Sequence, residues 1–218
     1  MEQKSNIKKI NYKIKIIDNF LNEEDFLSLC QLKIDQNTKN KFQIYHNEID
    51  NHRIIKSVID KNLLFRLHQN YHSKAIDILN EINPEKVKLY DYSDFTIIVT
   101  NKDAQFPIHD DTPNKLLSGV VYLYPEVNTG TMFYSSKSGL DRKIVEWKKN
   151  RGVFFSRKEG QTWHSYEGDG IKNRIVLVYN LMTYRVKEVF KIENNNYFLG
   201  NLRYKLNPYL FRFFKKTI

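Results

Sequence analysis

Residues 95–124 read FTIIVTNKDAQFPIHDDTPNKLLSGVVYLY, and this stretch decides the predicted fold. Its runs of Val, Ile, Tyr and Phe predict strands over 95–100, 106–111 and 117–124, because these residue types suit a pleated, half-buried surface. The same pattern predicts further strands at 87–92, 131–135, 143–148, 152–156, 161–166 and 173–182. Many short strands without helices between them favour an antiparallel sandwich or barrel over a βαβ fold.

The region before these strands has a different pattern. Residues 12–17 alternate apolar and basic side chains, which is typical of a half-exposed strand. Asn22 followed by three acidic residues is a good helix start, because the acids complement the positive end of the helix dipole. A second helix is predicted over about 60–82, ended by Pro84, and the polar stretch 36–51 is predicted to be a loop. The fold class is therefore mainly β with flanking helices.

Composition limits the class of protein. The chain has 218 residues, of which 41% are hydrophobic, and this content excludes a disordered chain. Cys30 is the single cysteine, so an internal disulfide and a cysteine-based zinc cluster are excluded. No apolar stretch reaches the roughly 20 residues of a transmembrane helix, and the first residues do not resemble a signal peptide. These features predict a cytoplasmic protein.

No linker divides the chain, so one domain over 1–218 is expected. It would comprise an N-terminal strand and supporting helices (1–85), a β core (86–184) and a basic aromatic extension (185–218). The net charge is +10, which favours anionic partners in general. Because Lys, Asn and Ile are abundant throughout the chain, the charge does not favour nucleic acid as a specific partner. The extension would pack across the barrel or in a dimer, with a membrane or partner contact as the alternative.

Three side chains in the strand region form a candidate metal site. His109 and Asp111 are two residues apart, so they share one face of the predicted strand 106–111, and Asp110 points away as a second-layer or surface group. His164, at the start of a later strand, supplies a third ligand. Two histidines and one carboxylate with open positions suit non-haem Fe(II). Arg174 would point inward, where a buried guanidinium needs an anion.

Other residues have competing explanations. Arg174 is alternatively a structural ion-pair partner of Glu167 or Asp169. His68 and His72 share one helix face, as a zinc pair would, but Gln69 stands where a metalloprotease has Glu. A further two histidines are expected to be solvated in a loop, namely His46 and His52.

The order and spacing of these motifs resemble the Fe(II)/2-oxoglutarate-dependent oxygenases, in particular the prolyl 4-hydroxylase-like branch. The matching segments cover roughly 14–35 and 88–183. They are the lead-in IDNFLNEE (17–24), His109-x-Asp111, Gly130-Thr-Met-Phe133, Gly152-Val-Phe-Phe-Ser156, Trp163-His164-Ser165, and Arg174 at the tenth place after His164.

The resemblance implies a double-stranded β-helix, that is, a cupin-like jelly roll with helices outside. It implies Fe(II) on His109, Asp111 and His164, with 2-oxoglutarate and O2 as cosubstrates. The far carboxylate of 2-oxoglutarate would meet Arg174, with Tyr122 and Thr131 as helpers. The implied reaction is hydroxylation of a C–H bond in a peptidyl side chain or a small metabolite, with release of succinate and CO2. Val176 departs from the family pattern, because some relatives have Ser or Thr two residues after the Arg.

Two alternatives to an enzyme stay open at this point. One is a jelly-roll module that holds a metal or another ligand without turnover. The other is a nucleic-acid-binding protein. The presence of all three ligands together with Arg174 favours the enzyme, because a module without turnover does not require the complete set.

Overall fold

The structure is a computed structural model that describes residues 10–32, 41–51, 53–202 and 216–217. Its strands are β1 (Ile14–Ile17), β2 (Phe42–Tyr45), β3 (Glu48–Ile49), β4 (Ile54–Lys56), β5 (Tyr92–Thr100), β6 (Gln105–His109), β7 (Lys115–Tyr124), β8 (Thr131–Tyr134), β9 (Lys143–Val145), β10 (Gly152–Phe155), β11 (Trp163–Glu167), β12 (Arg174–Met182) and β13 (Lys216–Thr217). Its helices are α1 (Glu23–Cys30), α2 (Lys61–Ile82), a 3-10 helix (Pro84–Leu89) and α3 (Val186–Ile192), and residues 197–202 are also helical. His52 and, of the predicted extension 185–218, residues 203–215 and 218 lie outside the described residues.

The strands form two sheets. The large sheet has the order β1-β10-β7-β12-β5-β2-β13, with β3 attached to β5 and β4 attached to β3. The small sheet has the order β6-β11-β8-β9. Neighbouring strands are antiparallel except for the pair of β13 with β2. The predicted mainly β architecture with flanking helices is confirmed.

Side chains of the central strands point alternately to the two faces of the large sheet. The molecule therefore has three layers, namely the helices, the large sheet and the small sheet. On β12, Leu177, Tyr179 and Leu181 belong to an apolar core that also contains α2 side chains such as Leu64 and Leu67. The intervening side chains face the small sheet, where a second core joins residues of both sheets: Tyr122, Phe133, Val145, Val153, Phe155 and Val176. Because successive strand side chains point to opposite faces, one sheet separates the helices from the interior between the sheets.

Two predicted elements were wrong. Residues 84–89 form a 3-10 helix instead of the strand start expected at 87, and their buried side chains, Lys86 and Leu89, are three apart as that helix requires. The stretch 36–51 contains strands β2 and β3 in its described part instead of only a loop. Phe42 and Ile44 are its buried residues at strand spacing, and β2 pairs with β5.

The predicted helices are confirmed. The Asn22 side chain accepts a hydrogen bond from the backbone N–H of Asp25 and so caps α1, and Asp60 caps α2 in the same way. Within the described part of the chain, no helix is both long and apolar enough to cross a bilayer.

A buried ion network links α3 to the β core. Glu193, at the end of α3, accepts hydrogen bonds from Lys86 Nζ and Arg157 Nη1, each at 2.7 Å. Arg157 also forms an ion pair with Glu159, and its Nε donates to the backbone carbonyl of Asp111 at 3.1 Å. Since Lys86 and Arg157 are almost completely buried, the network holds the chain around Asp111 in place only while its charges remain balanced.

We therefore expect Glu193→Gln to destabilise the protein by about 3 kcal/mol, because two buried cations lose a shared carboxylate. Urea unfolding measures the change. Glu188→Gln, an exposed position on the same helix, is the matched control and should change the unfolding free energy by less than about 0.5 kcal/mol. Equal losses in the two variants would show that the network contributes nothing specific.

Candidate metal and cosubstrate site

Pairing of β6 with β11 brings the two predicted histidine ligands together. His109 and His164 are direct partners in the antiparallel register, and their ring centroids are 4.3 Å apart. Phe155 packs edge-on against the His164 ring at 4.9 Å. Residues separated by 55 positions in sequence therefore become neighbours through one strand pair.

Hydrogen bonds set the tautomer of both imidazoles. Nδ1 of His109 lies 2.8 Å from the carbonyl oxygen of Pro107, and Nδ1 of His164 lies 3.0 Å from that of Thr162. A carbonyl oxygen only accepts, so each Nδ1 carries the proton and each Nε2 carries the lone pair. Ligating histidines are commonly held in this way. Burial and the neighbouring imidazole lower the pKa of His109 to about 3, which keeps this ring neutral.

Asp111 lies two residues beyond the end of β6, so the predicted strand 106–111 is shorter than expected. Its Oδ1 accepts from Lys115 Nζ at 2.7 Å, and its Oδ2 accepts from Ser118 Oγ at 2.6 Å. Burial alone would raise the pKa of Asp111, but Lys115 and the two imidazoles hold it well below its ordinary value. The carboxylate is therefore ionised.

The three predicted ligands converge. One ligand atom from each of His109, Asp111 and His164 lies within 4.8 Å of the others, and this is the one such cluster among the described residues. The cluster borders a cavity of about 550 Å³. Two imidazoles and one carboxylate beside an open cavity fit a divalent metal with positions left for other ligands.

Arg174 lines the same cavity and is almost completely buried. Its guanidinium lies 3.5 Å from the ring centroid of Tyr166. Its Nε and Nη1 have no hydrogen-bond partner within the described residues, and burial lowers its pKa. A buried cation with two unused donors is an incomplete arrangement, and a carboxylate would complete it with paired hydrogen bonds.

The alternative structural role of Arg174 is not observed. No ion pair joins it to a carboxylate in the part of the chain that the structure describes. Glu167 accepts instead from Gln105, and Asp169 from Asn128. Arg174 lines the cavity together with the inward-facing Val176 and further β12 side chains.

Tyr122 and Thr131 form a buried pair near this end of the cavity. The Tyr122 hydroxyl donates to Thr131 Oγ1 and accepts from the Thr131 backbone N–H, both at 2.9 Å. Tyr122 is stacked on Trp147, whereas Thr131 lines the cavity. Thr131 is thus positioned to contact a ligand, and Tyr122 orients it.

The remaining predicted residues have varied outcomes. His68 and His72 pack against each other on α2, and no third ligand accompanies them among the described side chains. The prediction that His46 is solvated was wrong. His46 directly follows β2, is half-buried and lines the cavity, with its Nδ1 3.1 Å from Thr96 Oγ1. Asp110 is buried and accepts from the Gly160 backbone N–H at 2.7 Å.

Sequence reasoning missed the groups that hold Asp111. Lys115 and Ser118 bind its carboxylate and Arg157 binds its backbone carbonyl. The residues Pro113-Asn114 are typical of a turn, and a turn there brings the start of β7 back toward Asp111. Lys115 follows this turn directly, so its proximity to Asp111 could have been predicted from the sequence. No local signal identifies Arg157, which lies 46 residues away.

The sequence matches no family model and no curated protein. Solved structures are similar to it. A prolyl-4-hydroxylase from Pseudomonas putida has a TM-score of 0.54 at 13% identity, over 79% of this chain and 94% of that chain. A 2OG-Fe(II) oxygenase family oxidoreductase from Burkholderia pseudomallei has 0.54 at 12% identity, over 78% and 84%. A Trichoplax adhaerens prolyl hydroxylase, in complex with a hypoxia inducible factor peptide fragment, has 0.53 at 12%, over 82% and 87%.

These similarities concern the fold, because the identities are low. This chain has two largely antiparallel sheets, with helices on the outer face of the larger one. The resemblance expected from the sequence is therefore confirmed at the level of architecture: the chain has the jelly-roll fold of the prolyl 4-hydroxylase-like Fe(II)/2-oxoglutarate oxygenases.

Proposed function

We propose that this chain is an Fe(II)- and 2-oxoglutarate-dependent dioxygenase. It would hydroxylate a C–H bond of a peptidyl side chain or a small metabolite, consuming O2 and releasing succinate and CO2. The observation that carries the proposal is the presence, in one cavity, of the His109–Asp111–His164 cluster and a buried Arg174 without a counter-anion. A cytoplasmic location is proposed with it, because Cys30 forms no disulfide.

The protein groups have separate tasks in this proposal. The Nε2 atoms of His109 and His164 and one oxygen of Asp111 would hold Fe(II), which when bound supplies oxygen activation. Arg174 would bind the far carboxylate of 2-oxoglutarate and so orient it. Thr131 Oγ1 accepts from Tyr122, so its own proton is directed to the same carboxylate. Val176 adds an apolar wall that limits water at this end.

One contact favours a second candidate. Lys115 forms an ion pair with Asp111 at 2.7 Å, on a carboxylate that a metal would need. In a jelly-roll module that holds a ligand other than a metal without turnover, this ammonium would replace the metal charge. The two candidates differ in one measurable property, which is the binding of a divalent ion.

The first prediction concerns the metal. The wild-type chain should bind Fe(II) anaerobically with one ion per chain, and His164→Ala should weaken binding by at least about 100-fold, because one of the protein ligands is lost. Isothermal titration measures both. His72→Gln, which changes a half-buried histidine on α2 away from the site, is the control and should bind as the wild type does. If the wild-type chain binds no divalent ion, the result would favour the module without turnover, in which Lys115 takes the place of the metal charge.

The second prediction concerns the cosubstrate. Arg174→Met should weaken 2-oxoglutarate binding to the Fe(II)-loaded protein by at least about tenfold, because a charge-assisted hydrogen bond contributes roughly 1.5–3 kcal/mol. Fe(II) affinity should not change. Anaerobic absorption titration follows the binding, and succinate formation in air follows turnover.

Arg174→Met has a second expected effect. The ligand-free variant should be as stable as the wild type or more stable, since a buried cation that forms no ion pair among the described residues is replaced by an apolar side chain. Arg142→Met, at an exposed position, is the control for both measurements. Unchanged 2-oxoglutarate affinity in Arg174→Met would refute the assigned role of this residue.

A further inference from the structure

Lys115 is a cationic side chain inside the cavity, beside the three candidate ligands His109, Asp111 and His164. It begins β7 and lines the cavity. Its Nζ lies 2.7 Å from Oδ1 of Asp111, and its side chain is 21% exposed. A divalent ion on the same carboxylate would repel this ammonium, so the two cations compete for Asp111.

Asp111 needs a counter-charge as long as no metal is bound. It lies beyond the end of β6, and its side chain is only 8% exposed. Ser118 donates to its Oδ2 as a neutral group, whereas Lys115 brings a full positive charge to its Oδ1. Because a buried carboxylate that loses its ion-pair partner is strongly destabilised, Lys115 stabilises the empty site.

A second buried carboxylate lines the same cavity. Asp94, on β5, accepts hydrogen bonds from the Thr96 hydroxyl and from Asn180 Nδ2, which are both neutral groups. The structure gives it no ion pair with any residue that it describes. Burial raises the pKa of Asp94, and the positive charge of Lys115 acts against this rise. Lys115 therefore attracts Asp94 from a distance while it is bonded to Asp111.

The strand register places Lys115 and Asp94 on either side of β12. Lys115 is the partner of Met182, and Asp94 is the partner of Asn180, two residues away on the same strand. Met182 and Asn180 both line the cavity, so they share one face of β12. Across β12 the backbones of β7 and β5 are about 10 Å apart, since neighbouring strands are separated by about 4.8 Å. Extended lysine and aspartate side chains can close this span without any movement of the strands.

A divalent ion reverses the charge balance at Asp111. One carboxylate would then have two positive charges from the ion and a third from the ammonium beside it, whichever of its oxygens the ion takes. Coulomb energy scales with the product of the charges, so repulsion by the ion exceeds the attraction of Lys115 to a single carboxylate at a comparable distance. Asp94, which has no ion-pair partner among the described residues, is the anion within reach.

We propose that Lys115 is a positioning residue with two positions: its ammonium pairs with Asp111 in the metal-free chain and with Asp94 once the three candidate ligands hold a divalent ion. The inference rests on the proposed function for the presence of that ion. Lys115 then has two opposite effects, because it stabilises the empty site and lowers the affinity of the site for the metal.

The first test uses Lys115→Met and Fe(II) alone, anaerobically and without 2-oxoglutarate. Lys115→Met should bind Fe(II) at least about tenfold more tightly than the wild type, because no ammonium has to be displaced. The metal-free variant should nevertheless unfold at a lower urea concentration, because Asp111 loses its counter-charge. A lysine with a merely structural role would not raise the affinity. Isothermal titration and urea unfolding measure the two effects, and Lys143→Met, an exposed change on β9, should alter neither.

The second test is a double-mutant cycle with Asp94→Asn. In the chain that retains Lys115, Asp94→Asn should weaken Fe(II) binding at least about threefold, because the displaced ammonium loses its acceptor. In the Lys115→Met background the same change should have less than about a twofold effect. Asp77→Asn, an exposed change on α2, is the control in both backgrounds. If Asp94→Asn does not fold, the opposite shifts in Lys115→Met still decide whether Lys115 is displaced.

The outcomes separate this inference from the proposed function. If the wild type binds Fe(II) and Lys115→Met binds it no more tightly, the inference is overturned and the proposed dioxygenase is not affected. An effect of Asp94→Asn that is equal in both backgrounds, or absent from both, overturns Asp94 as the second position. Binding by Lys115→Met but not by the wild type supports the competition and overturns the dioxygenase. If neither chain binds Fe(II), the proposed function is overturned and this inference with it.

Discussion

The structure depends on the antiparallel pairing of β6 with β11, which places His109 directly opposite His164. A shift of one residue would turn one imidazole to the other face of the sheet, because side chains alternate along a strand. The register is held on the other edge of β11 by β8, whose Phe133 faces His164 and also packs on Phe155 of the large sheet. Packing between the two sheets thus maintains the positions of the candidate metal ligands.

The interior between the sheets contains a buried cation, Arg174, whose Nε and Nη1 have no hydrogen-bond partner among the described residues. Keeping such groups buried lowers the stability of the ligand-free chain. By contrast, the buried charges of Lys86, Arg157 and Glu193 are paired within the protein. The paired network under α3 therefore differs from Arg174 in the cavity, and this difference supports the proposal that an anionic ligand binds beside Arg174.

Sequence patterns predicted the parts of this molecule whose signal is local. His109-x-Asp111, the cap at Asn22 and the alternation along β12 are each contained in a few residues. The cap and the alternation have their predicted geometry, whereas His109 and Asp111 converge although Asp111 lies beyond the end of β6. The supports of the site were not predicted, because they connect distant positions. Asp94 and Asn180 are 86 residues apart, and their hydrogen bond exists only because β5 pairs with β12. Strand β3 was missed for the same reason: its two residues have no pattern of their own without β5.

The charge on Arg174 inside the cavity and the net charge of the whole chain act on a ligand over different distances. The chain as a whole has a net charge of +10, so its long-range field attracts anions and repels cations. That field is screened over about 8 Å at physiological ionic strength, whereas charges inside the cavity interact in a medium of lower dielectric constant. Under the proposed function, a diacid would therefore be attracted first by the long-range field of the chain and then, inside the cavity, by the Arg174 guanidinium itself.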